Sequence, residues 1–255
     1  MTLIELMVVI GIIGILAAML LVTVSQTKGS ARKTKCINNQ KQLITTWTLY
    51  SNDNNEQLVA NHSHRIQGLR QTPWVTGMGH PHYGAMTNMM YLTNDQYAAF
   101  APYLNMHMVY RCPENKERIG GYEAIRSYSM NQFMGAPNQD TNYLYFEEQG
   151  DIPEPSKMFV FCDQNQRYIC WPMMMIRMQQ NYWINLPATV HNYGATLSFA
   201  DGHVEYKKWL EHTTSGKKSV KRWIDAQWPN HGTQARPNDR DLAWLRERST
   251  VEVAP

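Results

Sequence analysis

The chain has 255 residues, of which 43% are hydrophobic, 18% are charged and 11% are aromatic, and its formal net charge is +3. This apolar content is sufficient for a packed core and excludes a chain that is disordered throughout. The small basic excess gives no support for a specific nucleic-acid partner.

The first predicted element is a hydrophobic helix. Residues 6–24 include no charged side chain, and a helix of 19 residues spans roughly 28 Å, close to the hydrocarbon thickness of a bilayer. A secretory signal peptide is the alternative, but it would have a basic n-region, a shorter apolar run and a small-residue cleavage site. We therefore expect residues 1–25 to form a membrane segment.

The helix is predicted to continue in amphipathic form over residues 26–52. Ile37, Ile44 and Trp47 recur with helical spacing on one side, and turn-forming residues follow from position 51. We expect this second half to pack beneath a globular domain formed by residues 53–255.

Four cysteines follow the apolar segment and provide candidate cross-links. An even number in an exported domain predicts two disulfides, for which three connectivities exist. The short separation of Cys162 and Cys170 suits a bridge across a hairpin or loop, and Cys36 and Cys112 would then tie the helix to the domain. None of the four belongs to a CxxC pair, so their spacing is only a weak indication of zinc or thioredoxin-type chemistry.

Two His-x-His pairs lie in a loop-rich region. They consist of His62, His64, His80 and His82. Alternate residues of a strand share one face, so these side chains are candidate zinc or copper ligands. Loop histidines are more often exposed polar residues, and we expect no cofactor.

A buried strand is predicted at residues 158–162, and a β-hairpin follows later in the chain. Apolar residues alternate from Ala195 to Phe199, and Asp201-Gly202 precedes a second alternating run. His191 and Asp201 are candidates for a metal site or a general base. We favour the interpretation in which His191 hydrogen-bonds a loop while Asp201 and Gly202 form the turn.

Three segments of the sequence resemble a known family. The N-terminal run MTLIELMVVIGIIGILAA is similar to the mature N-terminus of type IV pilins and type II secretion pseudopilins, where a glutamate at the fifth position interrupts an aliphatic run. The segment from Cys36 to Leu43, and His191 followed by nine residues and Asp201-Gly202, resemble prepilin-type proteins of planctomycete and verrucomicrobial bacteria. This resemblance implies the α+β type IV pilin fold, in which a long N-terminal helix packs on an antiparallel β-sheet with long loops.

The resemblance also implies roles for residues near the N-terminus. In this family the glutamate neutralises the terminal amine of a neighbouring subunit, so Glu5 would pair with Met1 of the next copy. Gly11 and Gly14 would provide either small contacts for close helix packing or a point where the helix unwinds. The implied partners are identical subunits, a prepilin peptidase, the assembly machinery and, before assembly, the inner membrane.

Three functions compete on this basis. The first is a structural, non-enzymatic subunit of an extracellular type IV pilus-like filament on a Gram-negative-type cell, and the second is a type II secretion pseudopilin in a periplasmic pseudopilus. The third is a membrane-anchored enzyme or binding module that uses the histidines, but no nucleophile elbow, phosphate loop or firm metal motif supports it. We expect the filament subunit.

Overall fold

The structure, a computed structural model, shows a long helix and a small layered domain. It describes residues 2–62, 71–76, 84–104, 106–116, 118–119, 121–136, 140–166, 169, 171–211, 214 and 232–253. Within these ranges the helices are α1 (Leu3–Asp53), α2 (Gly84–Thr87), α3 (Met90–Thr93) and α4 (Arg240–Arg246). The strands are β1 (Arg118–Ile119), β2 (Tyr122–Glu123), β3 (Tyr128–Asn131), β4 (Phe159–Asp163), β5 (Met173–Met174), β6 (Tyr182–Trp183), β7 (Gly194–Phe199), β8 (Val204–Lys208) and β9 (Thr233–Gln234).

Helix α1 is one uninterrupted element of 51 residues, which corresponds to about 76 Å at the usual rise per residue. It begins with a capping box. The backbone N–H of Glu5 donates to Thr2 Oγ1 at 3.3 Å, and the backbone N–H of Thr2 donates to Glu5 Oε2 at 2.7 Å. The long N-terminal helix predicted from the sequence is therefore present.

The two halves of α1 have different surroundings. The segment Leu3–Leu21 is long and apolar enough to cross a membrane, and none of it is buried within the described chain. The second half places one face in the domain core, where the buried residues recur at intervals of three and four. These fully buried residues are Cys36, Gln40, Leu43, Ile44, Trp47 and Ser51.

The central sheet has five strands in the order β5-β3-β4-β7-β8. Neighbouring strands are antiparallel except β3 and β5, which run parallel. The sheet is therefore mixed. The prediction of an antiparallel sheet is wrong for the pairing of β3 with β5. Because β5 has only two residues, it offers no alternation from which its pairing could be predicted.

The sheet separates two apolar clusters. On the α1 side, the indole of Trp74 packs edge-on against Phe161 at 5.0 Å between ring centroids, close to Trp47 in the same cluster. The opposite face of the sheet packs against Leu242 of α4 and Trp209. The second half of α1, the sheet and α4 thus form three layers, with α1 packed on β4, β7 and β8.

Strands β7 and β8 form the hairpin that the alternation predicts. Their register pairs Ser198 with Val204, and Gly202 has a φ of +88°, which a residue with a side chain rarely adopts. The Asp201 carboxylate accepts the backbone N–H of His203 at 3.0 Å and closes the turn. The backbone carbonyl of Gly202 accepts a hydrogen bond from Lys41 of α1 at 2.6 Å, so the turn also contacts the helix.

Two leucines of α1 provide a matched test of this packing. Leu43 is completely buried, whereas Leu49 is 47% exposed. We expect Leu43→Ala to lower the free energy of unfolding by about 2–5 kcal/mol because it leaves a cavity. Leu49→Ala should change it by less than about 0.5 kcal/mol. Urea titration of the detergent-solubilised full chain, followed by tryptophan fluorescence, measures both; equal effects would contradict the packing of α1 on the sheet.

Candidate metal centre

Four buried side chains with metal-binding groups meet between α1 and the sheet. They are Cys36, Cys112, Asp163 and His191, and one ligand atom from each lies within 4.8 Å of the other three. The exposed fraction of these residues is between 0% and 5%. We call this group the four-residue cluster.

Two members of the cluster come from the helix side of the domain. Cys36 lies on the buried face of α1, one turn before Gln40, whose side-chain amide donates to the backbone carbonyl of Thr196 on β7 at 3.1 Å. Cys112 follows a short 3-10 turn at His107–Tyr110. Its backbone N–H donates to Ser127 Oγ at 2.7 Å, which holds this segment against the start of β3.

The other two members come from the sheet. Asp163 is the last residue of β4, and His191 precedes β7 in a turn where Asn192 and Tyr193 have φ values of 52° and 62°. The hydroxyl of Tyr206 donates to the backbone carbonyl of His191 at 2.7 Å. Left-handed backbone is costly for a residue such as Tyr193, so surrounding contacts must hold this turn in one conformation.

The ligand atoms converge on a common point. Cys112 Sγ lies 3.1 Å from His191 Nε2, Cys36 Sγ lies 3.6 Å from Asp163 Oδ2, and His191 Nε2 lies 3.7 Å from Asp163 Oδ2. A tetrahedral zinc site with ordinary bond lengths has edges of roughly 3.3–3.8 Å between its ligand atoms. Two of these three distances fall within that range, the third is slightly shorter, and the remaining pairs of ligand atoms lie no more than 4.8 Å apart.

The same geometry argues against a cysteine nucleophile activated by a histidine. In such a triad the thiol and the carboxylate contact opposite nitrogens of the imidazole ring. Here Cys112 Sγ and Asp163 Oδ2 both face Nε2 of His191. The side chains are also buried, so a substrate has no access to the thiol in this conformation. The arrangement is one that could hold a metal ion.

Burial disfavours charge on each of these groups. It raises the pKa of the Asp163 carboxyl to about 7, although the nearby Cys112, Cys36 and Ser127 side chains oppose this rise. A hydrogen bond with Cys36, together with burial, raises the pKa of the Cys112 thiol. Burial also lowers the pKa of His191. In this environment the charged forms of the cysteine and aspartate side chains need a cation beside them.

One carboxylate oxygen of Asp163, Oδ1, is buried and has no hydrogen-bond partner among the described residues. Burying a polar atom without a partner costs roughly 1–3 kcal/mol, and an apolar residue would avoid that cost. A bound cation would offset it.

Hydroxyl groups surround the Cys36 sulfur. Tyr128 Oη lies 3.1 Å from Cys36 Sγ, and Thr196 Oγ1 lies 3.0 Å from it. Burial raises the pKa of Tyr128, so its hydroxyl keeps its proton and can donate a hydrogen bond to a thiolate. Donors of this kind orient metal ligands and stabilise their charge.

The predicted disulfides need correction. Cys36, Cys112 and Cys162 are free and buried in the structure, so the Cys36–Cys112 bridge is not formed, although the two residues do lie together. Cys162 belongs to the apolar cluster on the other face of the sheet, since successive residues of a strand point to opposite faces. Its predicted partner, Cys170, lies outside the described residues.

The histidine and turn candidates separate in the structure. The imidazole of His191 lies against Cys112 and Asp163 rather than in a loop hydrogen bond, while Asp201 and Gly202 form the hairpin turn. Asp201 contacts His203 instead, with 2.6 Å between Oδ1 and Nδ1. Of the His-x-His residues, His62 is buried. The other three, His64, His80 and His82, lie outside the described residues.

Asp163 is the site residue that sequence reasoning missed. A signal was present, because it is the first charged residue after the apolar strand predicted at 158–162. Comparison of the chain with protein-family models, with curated proteins and with solved structures found no match. The geometry of the four-residue cluster is what makes it a candidate metal centre.

The state of the thiols can be tested directly. Because Cys36, Cys112 and Cys162 are each 0% exposed, we expect none of them to react with iodoacetamide in the native full chain in detergent. All three should react after unfolding in denaturant without reductant. Peptide mass mapping identifies the labelled residues, with Cys162 as an internal control from the other core cluster. A cross-linked peptide joining Cys36 to Cys112 would contradict the free thiols.

Proposed function

We propose that the chain is a structural, non-enzymatic subunit of a type IV pilus-like filament and that its domain is a type IV pilin fold. The observation that carries this proposal is the division of α1. Its segment Leu3–Leu21 has no cover within the described chain, whereas the continuous second half is packed into the globular layers. One continuous helix therefore joins the apolar segment Leu3–Leu21 to a folded domain.

The apolar segment Leu3–Leu21 needs a surface that covers its exposed side chains. Leu3, Leu20 and Leu21 expose 76%, 63% and 73% of their surface. Each Å2 of apolar surface removed from water contributes roughly 25 cal/mol, so a segment of this length is driven into lipid or against other apolar helices. Before assembly the partner would be the inner membrane; in the filament it would be α1 of identical subunits.

Gly11 and Gly14 are suited to helix contacts. A Cβ atom at either position would meet no atom of the described chain within 4 Å. Small residues let the backbones of two apolar helices approach closely, which strengthens their packing. This supports contacts with other copies of α1 at these two positions.

Glu5 would set the register between subunits. It is the only charged residue before Lys28, and a carboxylate within an apolar helix is costly unless it is partnered. Its hydrogen bond to Thr2 satisfies the helix start. A carboxylate has about four acceptor sites, so the same group can also receive the terminal amine of Met1 from the next subunit. Met1 itself lies outside the described residues.

The remaining partners follow from this proposal. A prepilin peptidase would process the chain, assembly machinery would extract it from the inner membrane, and the filament would display the domain at the cell surface. A type II secretion pseudopilus is the alternative assembly, because the same apolar helix would serve a short periplasmic fibre. The length of the native fibre separates the two.

Variants at the start of α1 test the role of the Glu5 charge. Glu5→Gln removes the charge but can still accept the Thr2 N–H in a capping box. Thr2→Ala is the matched control, since it removes the Oγ1 cap of the helix and keeps the carboxylate. We expect electron microscopy of sheared cell-surface material to show fibres for the wild type and Thr2→Ala, and at least a ten-fold loss for Glu5→Gln at equal membrane levels.

The other outcomes are also informative. Fibres that form equally well with Glu5→Gln would contradict the proposed contact between subunits. Wild-type cells that shed no fibres containing this chain would contradict the pilus, and a secretion defect on deletion would then favour the pseudopilus.

A further inference from the structure

We propose that Cys36, Cys112, Asp163 and His191 together bind one Zn²⁺ ion, which fastens α1 to the globular layers. This inference goes beyond the filament proposal and does not depend on it. It concerns how the domain holds its own helix, whichever assembly the helix enters.

The donor atoms select the metal. Two thiolate sulfurs, one imidazole nitrogen and one carboxylate oxygen form a mixed set of the kind that Zn²⁺ binds in tetrahedral geometry. Magnesium and calcium prefer oxygen ligands, so the two sulfurs disfavour them. With four protein ligands and no position for water or substrate, the site would have a structural role.

The ligand atoms need little movement to reach coordination geometry. The Cys36 Sγ–Asp163 Oδ2 and His191 Nε2–Asp163 Oδ2 distances are 3.6 and 3.7 Å, and all four atoms lie within 4.8 Å of one another. Cys36 lies on α1 and Asp163 on β4, whereas Cys112 follows the 3-10 turn and His191 lies in the turn before β7, so four separate parts of the fold bring the ligands together. The hydroxyls of Tyr128 and Thr196 are positioned to donate to the Cys36 sulfur.

The charges also fit a divalent cation. Binding forms four bonds to the metal and releases the protons of the two thiols, and that of the carboxyl group where it is protonated, to solvent. The formal charge of two thiolates, one carboxylate and one Zn²⁺ is about −1. The nearby hydroxyl donors would reduce the cost of that remaining charge, and a cation held by Oδ2 would offset part of the cost of burying Asp163 Oδ1 without a partner.

The location explains what the ion would do. Its ligands are far apart in the chain, and Cys36 is the only one on α1. Two further contacts, Asn39 Nδ2 to the Arg111 carbonyl at 2.9 Å and Arg32 to Glu114 at 3.1 Å, also join α1 to the Cys112 segment. Zinc would hold α1 against the Cys112 segment, close to the point where the exposed half of the helix begins.

The first measurement uses the untagged wild-type chain, purified in detergent without chelator or reductant. We expect elemental analysis to find about one zinc per chain and X-ray absorption to show two sulfur and two nitrogen or oxygen neighbours. Cobalt(II) exchanged into the site should give the visible bands of tetrahedral coordination and a thiolate charge-transfer band. These readouts do not require any variant to fold.

The second measurement compares two cysteine variants with equal burial. Cys112→Ser removes a proposed ligand, whereas Cys162→Ser alters a buried thiol beside Asp163 that faces the other apolar cluster. We expect Cys112→Ser to lower zinc affinity by more than about 100-fold and the Tm by roughly 5–10 °C. Cys162→Ser should retain zinc at the wild-type ratio. Where Cys112→Ser does not fold, the wild-type stoichiometry and absorption spectrum decide the question.

Several results would overturn the proposal. One is a wild-type chain that takes up neither zinc nor cobalt. Another is a zinc-free chain in which Cys36 and Cys112 are joined as a disulfide. Zinc bound without sulfur neighbours would place the metal elsewhere, for example on the His-x-His residues, and would also overturn it. So would full zinc retention by folded Cys112→Ser.

Discussion

In helix α1 the backbone hydrogen bonds lie within the helix, so side chains alone determine what surrounds each half. The first half exposes apolar side chains on all sides, and the second half buries one face that includes Leu43 and Trp47. Because no break separates the halves, the position of the sheet on the second half also orients the apolar half. Strands β4, β7 and β8 pack on this one helix, and the remaining layers pack on the sheet.

The contact between α1 and the sheet changes character along the helix. Towards Trp47 it is an aromatic core, where dispersion and the hydrophobic effect stabilise the packing. Around Cys36 and Gln40 it is polar, and buried polar groups must find partners there. Gln40 finds the backbone carbonyl of Thr196, whereas Cys36 meets three other metal-binding side chains. The four-residue cluster therefore occupies the polar end of this contact.

Particular residues show how far the sequence could be interpreted. The apolar run and the spacing of Ile44 and Trp47 predicted one long helix, because helical periodicity is a local property. The Asp201-Gly202 turn was also predictable, because a tight turn likewise depends on neighbouring residues in the sequence. The parallel pairing of β5 was not, since Met173–Met174 is too short to carry a pattern and its direction depends on where the chain returns to β3. The sheet layout required the folded structure.

The four-residue cluster could not be predicted from the sequence either, because it depends on contacts between distant parts of the chain. By itself the sequence determined the helix, its apolar half, the hairpin and the types of residue available for chemistry, because each follows from neighbours along the chain. Only the tertiary structure decided that Cys36 and Cys112 meet Asp163 and His191, and that Cys162 faces the opposite side of the sheet. Residues so far apart in the chain are brought together by the packing of α1 on β4 and β7, and spacing along the chain does not encode that packing.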